Sequence, residues 1–527
     1  MKNRVLENMF LTDVVDDELI GIIKNLKEGS AGWDGISCKV VKSTYKDIMT
    51  PLLHIFNLSL TKGIFPSELK IAKVIPLFKS GDSSLFSNYR PVSVLPLFSK
   101  MLERIMYKRL LSFVNKHKIL YSYQFGFRLI HSPELALMCL VDKISSALEN
   151  GEFVLGLFLD FSKAFDTVNH EILFQKLAFY GVRGISLDWF KSYLSERDQY
   201  VEFNDVQSKK QRITCGVPQG SILGPLLFLL YINDLAQVST KIFALLFADD
   251  SNLFISGNNC NELIKTMNDK TTHSIGWLRA KRLSHNLKKT HFILFRRKRS
   301  KLVIDKDLII DGVKIDMVEK TKFLGVVIDE YLSFRYHVNH IKGKIARGLG
   351  ILYKTKRLVN QATMSVLYNS FIYPYLNYCI IIWGNTYQSY IQPLITLQKR
   401  AIRIIKGARK FDTCDPFYSE LRILKIREIY VYCLQQLMFR YQRNLVPDVF
   451  SNFFSTNTQY HSYGTRQSNL LHMPLLKTVQ ASLSVRKAGV ISFNFFSGIL
   501  KSNCSLSTYK KHLKNYILEN GVDFMFQ

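Results

Sequence analysis

The sequence predicts a mixed α/β fold of the α+β kind. Three observations carry that expectation. Two stretches before residue 150 repeat apolar residues at helical spacing, Phe153 to Asp160 is an almost unbroken apolar run that ends on an acid, and Ile242 to Ile255 reads as two apolar strands joined at a tight turn. Elements of these two kinds pack as layers around a shared core.

Each element can be justified in chain order. From Ser99, which suits an N-cap, the residues Leu102, Ile105, Met106, Leu110 and Phe113 mark one helix. Leu137, Val141, Ile144 and Leu148 mark a second helix, which stops before Gly151. The run FVLGLFLD at 153–160 is apolar on both faces, as a central strand is, and delivers a carboxylate to the rim of a sheet. A helical stretch follows to about Tyr180. Ile222 to Ile232 is too short for a bilayer span, which needs roughly twenty residues, and reads as a buried helix. The hairpin at 242–255 holds Asp249 and Asp250 at its turn, and Asp311-Gly312 signals a second hairpin. From about Tyr331 the pattern is mainly helical and basic, and beyond about Cys414 no motif is legible.

A chain of 527 residues that is 47% hydrophobic and 13% aromatic can bury several subdomain cores, which speaks against disorder. Its 71 Lys and Arg against 42 Asp and Glu give a formal charge of +29. That balance points to a polyanionic partner, nucleic acid ahead of a membrane surface, although a basic but otherwise ordinary protein stays open on composition alone. The eight Cys, scattered from Cys38 to Cys504, form no C-x-x-C pair and no Cys/His cluster, which fits a reducing, intracellular compartment. A polar N-terminal stretch speaks against secretion.

An isolated Asp-Asp turn is most often a solvated tip. Here both acid positions are embedded in apolar strands, where gathered like charges are costly unless a cation offsets them. Asp160 facing Asp249 and Asp250 therefore suits a divalent metal. Mg²⁺, with Mn²⁺ as a substitute, takes a few carboxylates plus substrate phosphates, and nucleotidyl transfer uses two such ions. The segment from Gly216 to Gly220 surrounds Pro218 and Gln219 with glycine, either to let backbone approach a ligand or simply as the loop before the buried helix.

LDFSKAFDTVNH (Leu159 to His170), CGVPQGSILGPLLF (Cys215 to Phe228) and FADD (Phe247 to Asp250) closely resemble, in order, motifs of the reverse transcriptases of LINE-type, non-LTR retrotransposons of the jockey-like or chicken-repeat-like group. SAGWDGI (Ser30 to Ile36), NYRPVSVLPLFSKMLERI (Asn88 to Ile105), QFGFR (Gln124 to Arg128) and FLGVVID (Phe323 to Asp329) extend the resemblance over nearly the whole chain. It implies the right-hand polymerase fold, with fingers, a palm built on an antiparallel split βαβ sheet, and a helical thumb. The implied boundaries are a pre-fingers region at 1–70, fingers and palm at 71–330, a basic thumb at 331–410 and a helical region of unassigned role at 411–527.

The implied activity is RNA-directed DNA synthesis from deoxynucleoside triphosphates, extending a DNA primer or nicked target DNA on an RNA template, with the nucleus as a plausible place of work. Asp160, Asp249 and Asp250 become the catalytic metal ligands. Phe161 offers its backbone to metal and triphosphate, and Phe165, which spacing alone leaves as a core residue, becomes a steric gate against the 2′-hydroxyl. Gln219 and Gly220 meet the incoming nucleotide, while Lys79 and Arg90 hold its phosphates. Lys289, next to Lys288, protonates pyrophosphate. Phe323, Leu324 and Gly325 form the primer grip.

Lys342, Lys344, Lys354, Lys356, Arg357, Lys399, Arg400 and Arg403 suit phosphate contacts along a duplex. The cluster from Arg296 to Lys301 suits nucleic acid, nuclear import or a solvated charge run.

Three departures from the family pattern are visible. Leu129, Ile130, His131, Ser132 and Pro133 replace a more basic stretch, and the proline is expected to distort the fingers. His285 stands where an apolar strand residue is usual, leaving an unpaired polar group unless it faces solvent. No endonuclease is recognisable, so target nicking is expected to come from elsewhere. These features keep open a second reading, a degraded element product that binds nucleic acid without performing chemistry.

Overall fold

Helices α1 (Asp16–Lys24) and α2 (Cys38–Lys62) open the chain in a computed structural model that describes residues 4–522 except 162, 238–240, 460–467, 469 and 498–503. Ser162, within the Leu159 to His170 motif, lies outside the described residues. Strands β1 (Ile71–Phe78) and β2 (Tyr89–Val94) pair antiparallel.

Helix α3 (Leu97–Lys116) starts ahead of the expected cap. Pro96 leads into it, and Ser99 is buried in its first turns with its hydroxyl directed at Glu103. Helix α4 (Pro133–Glu149) corrects a second expectation. Pro133 is its first residue, where a missing N–H costs nothing, and the Ser132 hydroxyl accepts from the Leu135 amide. The altered stretch from Leu129 to Pro133 thus leads into a properly capped helix.

The elements that follow are β3 (Phe153–Leu159), α5 (His170–Phe179), α6 (Ile185–Leu194), β4 (Arg197–Phe203), β5 (Val206–Gln207), β6 (Gln211–Ile213) and α7 (Gly224–Ile232). After α7, the buried helix expected from its apolar run, come β7 (Phe243–Phe247), β8 (Asp250–Gly257), α8 (Cys260–Ala280) and β9 (His291–Phe295). Asp311 and Gly312, both at positive φ, turn β10 (Ile309–Ile310) into β11 (Val313–Lys314), as the dipeptide predicts. The short β12 (Asp316–Met317) precedes a hairpin of β13 (Lys320–Phe323) and β14 (Val326–Asp329). The rest is mainly helical, including α9 (Arg335–Thr355), α10 (Gln361–Phe371), α11 (Tyr373–Asn377), α12 (Ile380–Trp383) and α13 (Gln388–Lys406).

Two sheets organise the first 330 residues. In one, β1 lies between β2 and a parallel β4, which also pairs with β5 and β6. The central sheet has the order β12-β9-β3-β8-β7, with β3 antiparallel to both neighbours. Helices α5 to α7 lie between β3 and β7 in the chain, and α8 connects β8 to β9, so this sheet has the split βαβ connectivity.

The unbroken apolar character of β3 follows from burial on both faces. Val154 and Phe158 point into a core shared with α4 and the C-terminal helices, while Leu155, Leu157 and Leu159 point into a second core with α3, α5, α6, α7 and α8. Gly156 sits between them because a side chain there would strike the ring of Phe254, 2.7 Å away. Among the described residues no helix is long and apolar enough to cross a membrane.

Candidate active site

Asp160 directly follows β3, and Asp249 occupies the turn between β7 and β8. The antiparallel register pairs Leu159 with Ser251, so one further step sets Asp160 opposite Asp250. Like charges directly across strands destabilise each other. Asp250 registers this most strongly: partial enclosure, then the charges of Asp249 and Asp160, raise its carboxyl from 3.8 to about 6. Asp249 is also raised, by enclosure first and by Asp160, while its own backbone, Arg90 and Lys79 counter the rise.

Among the described residues no group of three or more His, Cys, Asp or Glu side chains is placed to hold a metal ion. The chemistry of the three carboxylates nevertheless fits a hard divalent cation, which would relieve their repulsion and is commonly completed by substrate phosphates.

Asp160 has two polar neighbours beside its carboxylate. Lys289 Nζ lies 3.5 Å from one carboxylate oxygen, to which the Asn286 side-chain amide also donates at 3.2 Å. The Asn286 backbone amide donates to the Asp160 carbonyl at 2.7 Å. Phe161 is buried and forms a backbone bridge with His285. His285 itself meets Asp311 at 3.2 Å, so the polar group flagged in the sequence has a carboxylate partner.

Phe165 is partly buried and braced. Its ring stacks on Phe228 with centroids 4.4 Å apart and meets Phe127 edge-on. The Phe165 carbonyl accepts from the Val217 amide, joining it to the glycine-rich segment. There the Gln219 side chain donates to the Asp166 carboxylate at 2.8 Å, and the Gln219 carbonyl accepts from Ser93 on β2 at 2.7 Å. Gly220, at φ +124°, comes so close to Ser93 that an added Cβ would lie 2.5 Å from its carbonyl oxygen.

Phe323 ends β13, and Leu324 and Gly325, both at positive φ, form the turn into β14. Tyr378 donates to the Leu324 carbonyl at 2.8 Å. Phe323 meets the ring of Phe158, two residues before Asp160, and His291 on β9 contacts Thr321 at 2.6 Å. The hairpin is therefore fastened to the strands that carry the acid. Of the basic cluster from 296 to 301, Arg296 pairs with Glu330, and Arg297 donates to the last carbonyls of α4.

Two supporting residues lay inside quoted motifs without an assigned role. The buried side-chain oxygen of Gln124 accepts from the Ala248 amide at 3.1 Å and the Gly126 amide at 2.9 Å. It holds the turn in which Ala248 adopts a positive φ immediately before Asp249. Gly126 packs so closely on Ala248 that a side chain would not fit. Buried Glu103 on α3 accepts from the Ile222 amide at 2.6 Å, tying down the chain just beyond Gly220. Their positions inside these motifs are the only sequence signal, because the partners Ile222 and Ala248 are 119 and 124 residues away.

Residues 79–328 match the family model for reverse transcriptase (RNA-dependent DNA polymerase). The chain's relatives are non-LTR retrotransposon enzymes. The chain is 29% identical to the probable RNA-directed DNA polymerase from transposon BS of Drosophila melanogaster, over 78% of this chain and 47% of that protein. It is 27% identical to the RNA-directed DNA polymerase from mobile element jockey of the same organism, over 82% and 48% respectively. A third relative is the retrovirus-related Pol polyprotein from type-1 retrotransposable element R1 of Bradysia coprophila, 28% identical over 74% and 39%. The chain thus spans about half the length of the curated relatives BS and jockey.

Proposed function

We propose that this chain is the RNA-directed DNA polymerase of a non-LTR retrotransposon, extending a DNA 3′ end on an RNA template by target-primed synthesis. The observation that carries this reading is the placement of Asp160 across from the Asp249-Asp250 turn, with Asp250 raised to about 6. In a right-hand reading, the β1-β2-β4 sheet belongs to the fingers, the central sheet is the palm, and the helices from α9 begin the thumb. Residues 1–70 then precede the fingers, 71–330 form fingers and palm, 331–410 the thumb, and 411–527 a helical region without an assigned chemistry.

Asp160, Asp249 and Asp250 would hold Mg²⁺, or Mn²⁺ in its place. Bound there, divalent cations supply charge neutralisation at the attacking hydroxyl and at the departing pyrophosphate. Arg90 and Lys79 act on the Asp249 side of the site, where they suit the phosphates of a nucleotide. Lys289, beside Asp160, suits proton delivery to the leaving group. Phe165, fixed by Phe228 and Phe127, suits exclusion of a ribose hydroxyl, because a braced ring cannot yield. Phe161, Gln219 and Gly220 complete the nucleotide side, and Phe323, Leu324 and Gly325 suit positioning of the primer end.

The alternative of an inert nucleic-acid-binding remnant is not favoured. All three carboxylates are present, and the suspect proline starts a helix. The test is extension of oligodeoxythymidine on poly-riboadenylate with Mg²⁺ and thymidine triphosphate. Extension that disappears in the Asp249→Ala, Asp250→Ala double variant supports the proposal. Tight binding of that primer-template without extension by the wild type refutes it.

A further inference from the structure

Away from the carboxylates, the end of α9, the start of α10, the last turns of α13 and the segment 407–411 enclose a groove of about 980 Å³. Its lining contains no Asp or Glu. Helix α9 starts six residues after β14 and is roughly 30 Å long at 1.5 Å per residue, so the groove lies at the opposite end of that helix from the β13-β14 turn.

Some of the basic residues here have a local explanation. The carbonyl ends of α9 and α13 meet at the groove and favour cations. Lys406 pairs with Glu420, and Arg403 donates to the Asp412 carbonyl. Lys356, Arg357, Arg400 and Lys410 are exposed and form no salt bridge among the described residues. They exceed what two helix ends require. Tyr353 and Phe411 present large exposed aromatic surfaces beside them, with Lys356 4.1 Å from the Tyr353 ring and Lys410 5.3 Å from the Phe411 ring. A lone phosphate would use the cations and ignore the rings. A duplex hides the faces of its bases within its own stack. A single strand uses both, with backbone phosphates on the cations and base faces on the rings.

We propose that this groove binds single-stranded nucleic acid, as a second holding point for a strand beyond the carboxylate site, so that Lys356, Arg357 and Arg400 meet a single strand rather than the duplex backbone their sequence pattern suggests. The inference goes beyond the polymerase reading and does not need catalysis to be correct.

The test measures fluorescence anisotropy with a single-stranded uridine oligoribonucleotide, the matching deoxythymidine oligomer and a blunt duplex of equal length. The groove variant is Lys356→Ala/Arg357→Ala/Arg400→Ala/Lys410→Ala in the full chain. Its control removes four exposed lysines of α2, as Lys39→Ala/Lys42→Ala/Lys46→Ala/Lys62→Ala, giving the same change in net charge. Four phosphate contacts on a single strand contribute a salt slope of about −2.8, equivalent to roughly 50-fold weaker binding from 50 to 200 mM salt. The groove variant is expected to lose about that much of the slope for single strands, with less than a twofold change for the duplex, while the control changes little.

Phe411→Ala is expected to weaken the base-bearing oligomers about tenfold and to leave an abasic oligomer unaffected. The ribose and deoxyribose arms identify which strand is preferred. Equal losses in the groove variant and the control, or equal losses for duplex and single strand, overturn the proposal. Primer extension by the wild type is measured in parallel: extension with an inert groove removes this proposal alone, and groove binding without extension removes the polymerase reading alone.

Discussion

Replacing Gln124 with Met keeps the length and approximate volume of the side chain and removes the oxygen that accepts from Ala248 and Gly126. Two buried amides then lose their acceptor, at about 1–3 kcal/mol each if the turn stays in place. The turn is already under strain, because Ala248 has φ +55°. It can relieve both costs by opening toward water, and that movement carries Asp249 with it. A displacement near 1 Å at a reacting centre costs roughly 100-fold in rate.

We therefore expect Gln124→Met to lower kcat for single-nucleotide incorporation about 100-fold, with the affinity for primer-template within about twofold of wild type. Gly126→Ala should produce the same pattern by a different route, since its added carbon collides with the Ala248 amide. Rapid-quench incorporation gives kcat and KM, anisotropy gives the primer-template affinity, and a thermal melt checks the fold. A Gln124→Met protein with wild-type kcat and unchanged melting would refute the idea that this residue fixes the turn.

Four further outcomes are expected. Because the folded-state pKa of Asp250 is raised, the folded protein binds that proton more tightly than the unfolded chain, and the associated stability is lost as pH rises from about 4 to about 6. Without divalent cations, the melting-temperature difference between wild type and Asp250→Asn should follow that sign; Mg²⁺ at pH 7.5 should stabilise the wild type and not the Asp249→Ala, Asp250→Ala protein. Phe165→Val should reduce the preference for deoxynucleotides over ribonucleotides by at least about tenfold in competition assays, and unchanged selectivity would remove its role as a gate. Lys289→Ala should slow the chemical step by about 100-fold or more, whereas Lys288→Ala should leave it near wild type, and equal effects would dissolve the distinction drawn from Lys289's position beside Asp160.

Much of the scaffold was legible because local pattern and burial agree along it. The apolar run of β3, the acid after it, the 242–255 hairpin and the Asp311-Gly312 turn each depend on neighbours in the chain. What escaped depends on partners that no repeat in the chain marks, some near and some far. Ser99 has the chemistry of a cap, but packing brings Glu103 to it and Pro96 starts the helix. Pro133 reads as a breaker until Ser132 is seen capping the next helix. His285 gains Asp311 from the β10-β11 turn, and Gln124 reaches Ala248 across 124 residues. No periodicity encodes these last two pairings, because a repeat is read within a window of about 11–18 residues and these partners lie outside it.

The two-faced burial of β3 binds the fate of both halves of the molecule together. Val154 and Phe158 complete a core made largely by helices beyond residue 330, while Leu155, Leu157 and Leu159 complete the other. Cutting the chain at that boundary would leave an oily face of the central sheet open to water and invite aggregation. The halves should melt in one cooperative transition, and a frameshift that removes only the C-terminal helices would abolish a carboxylate site to which those helices contribute no acid.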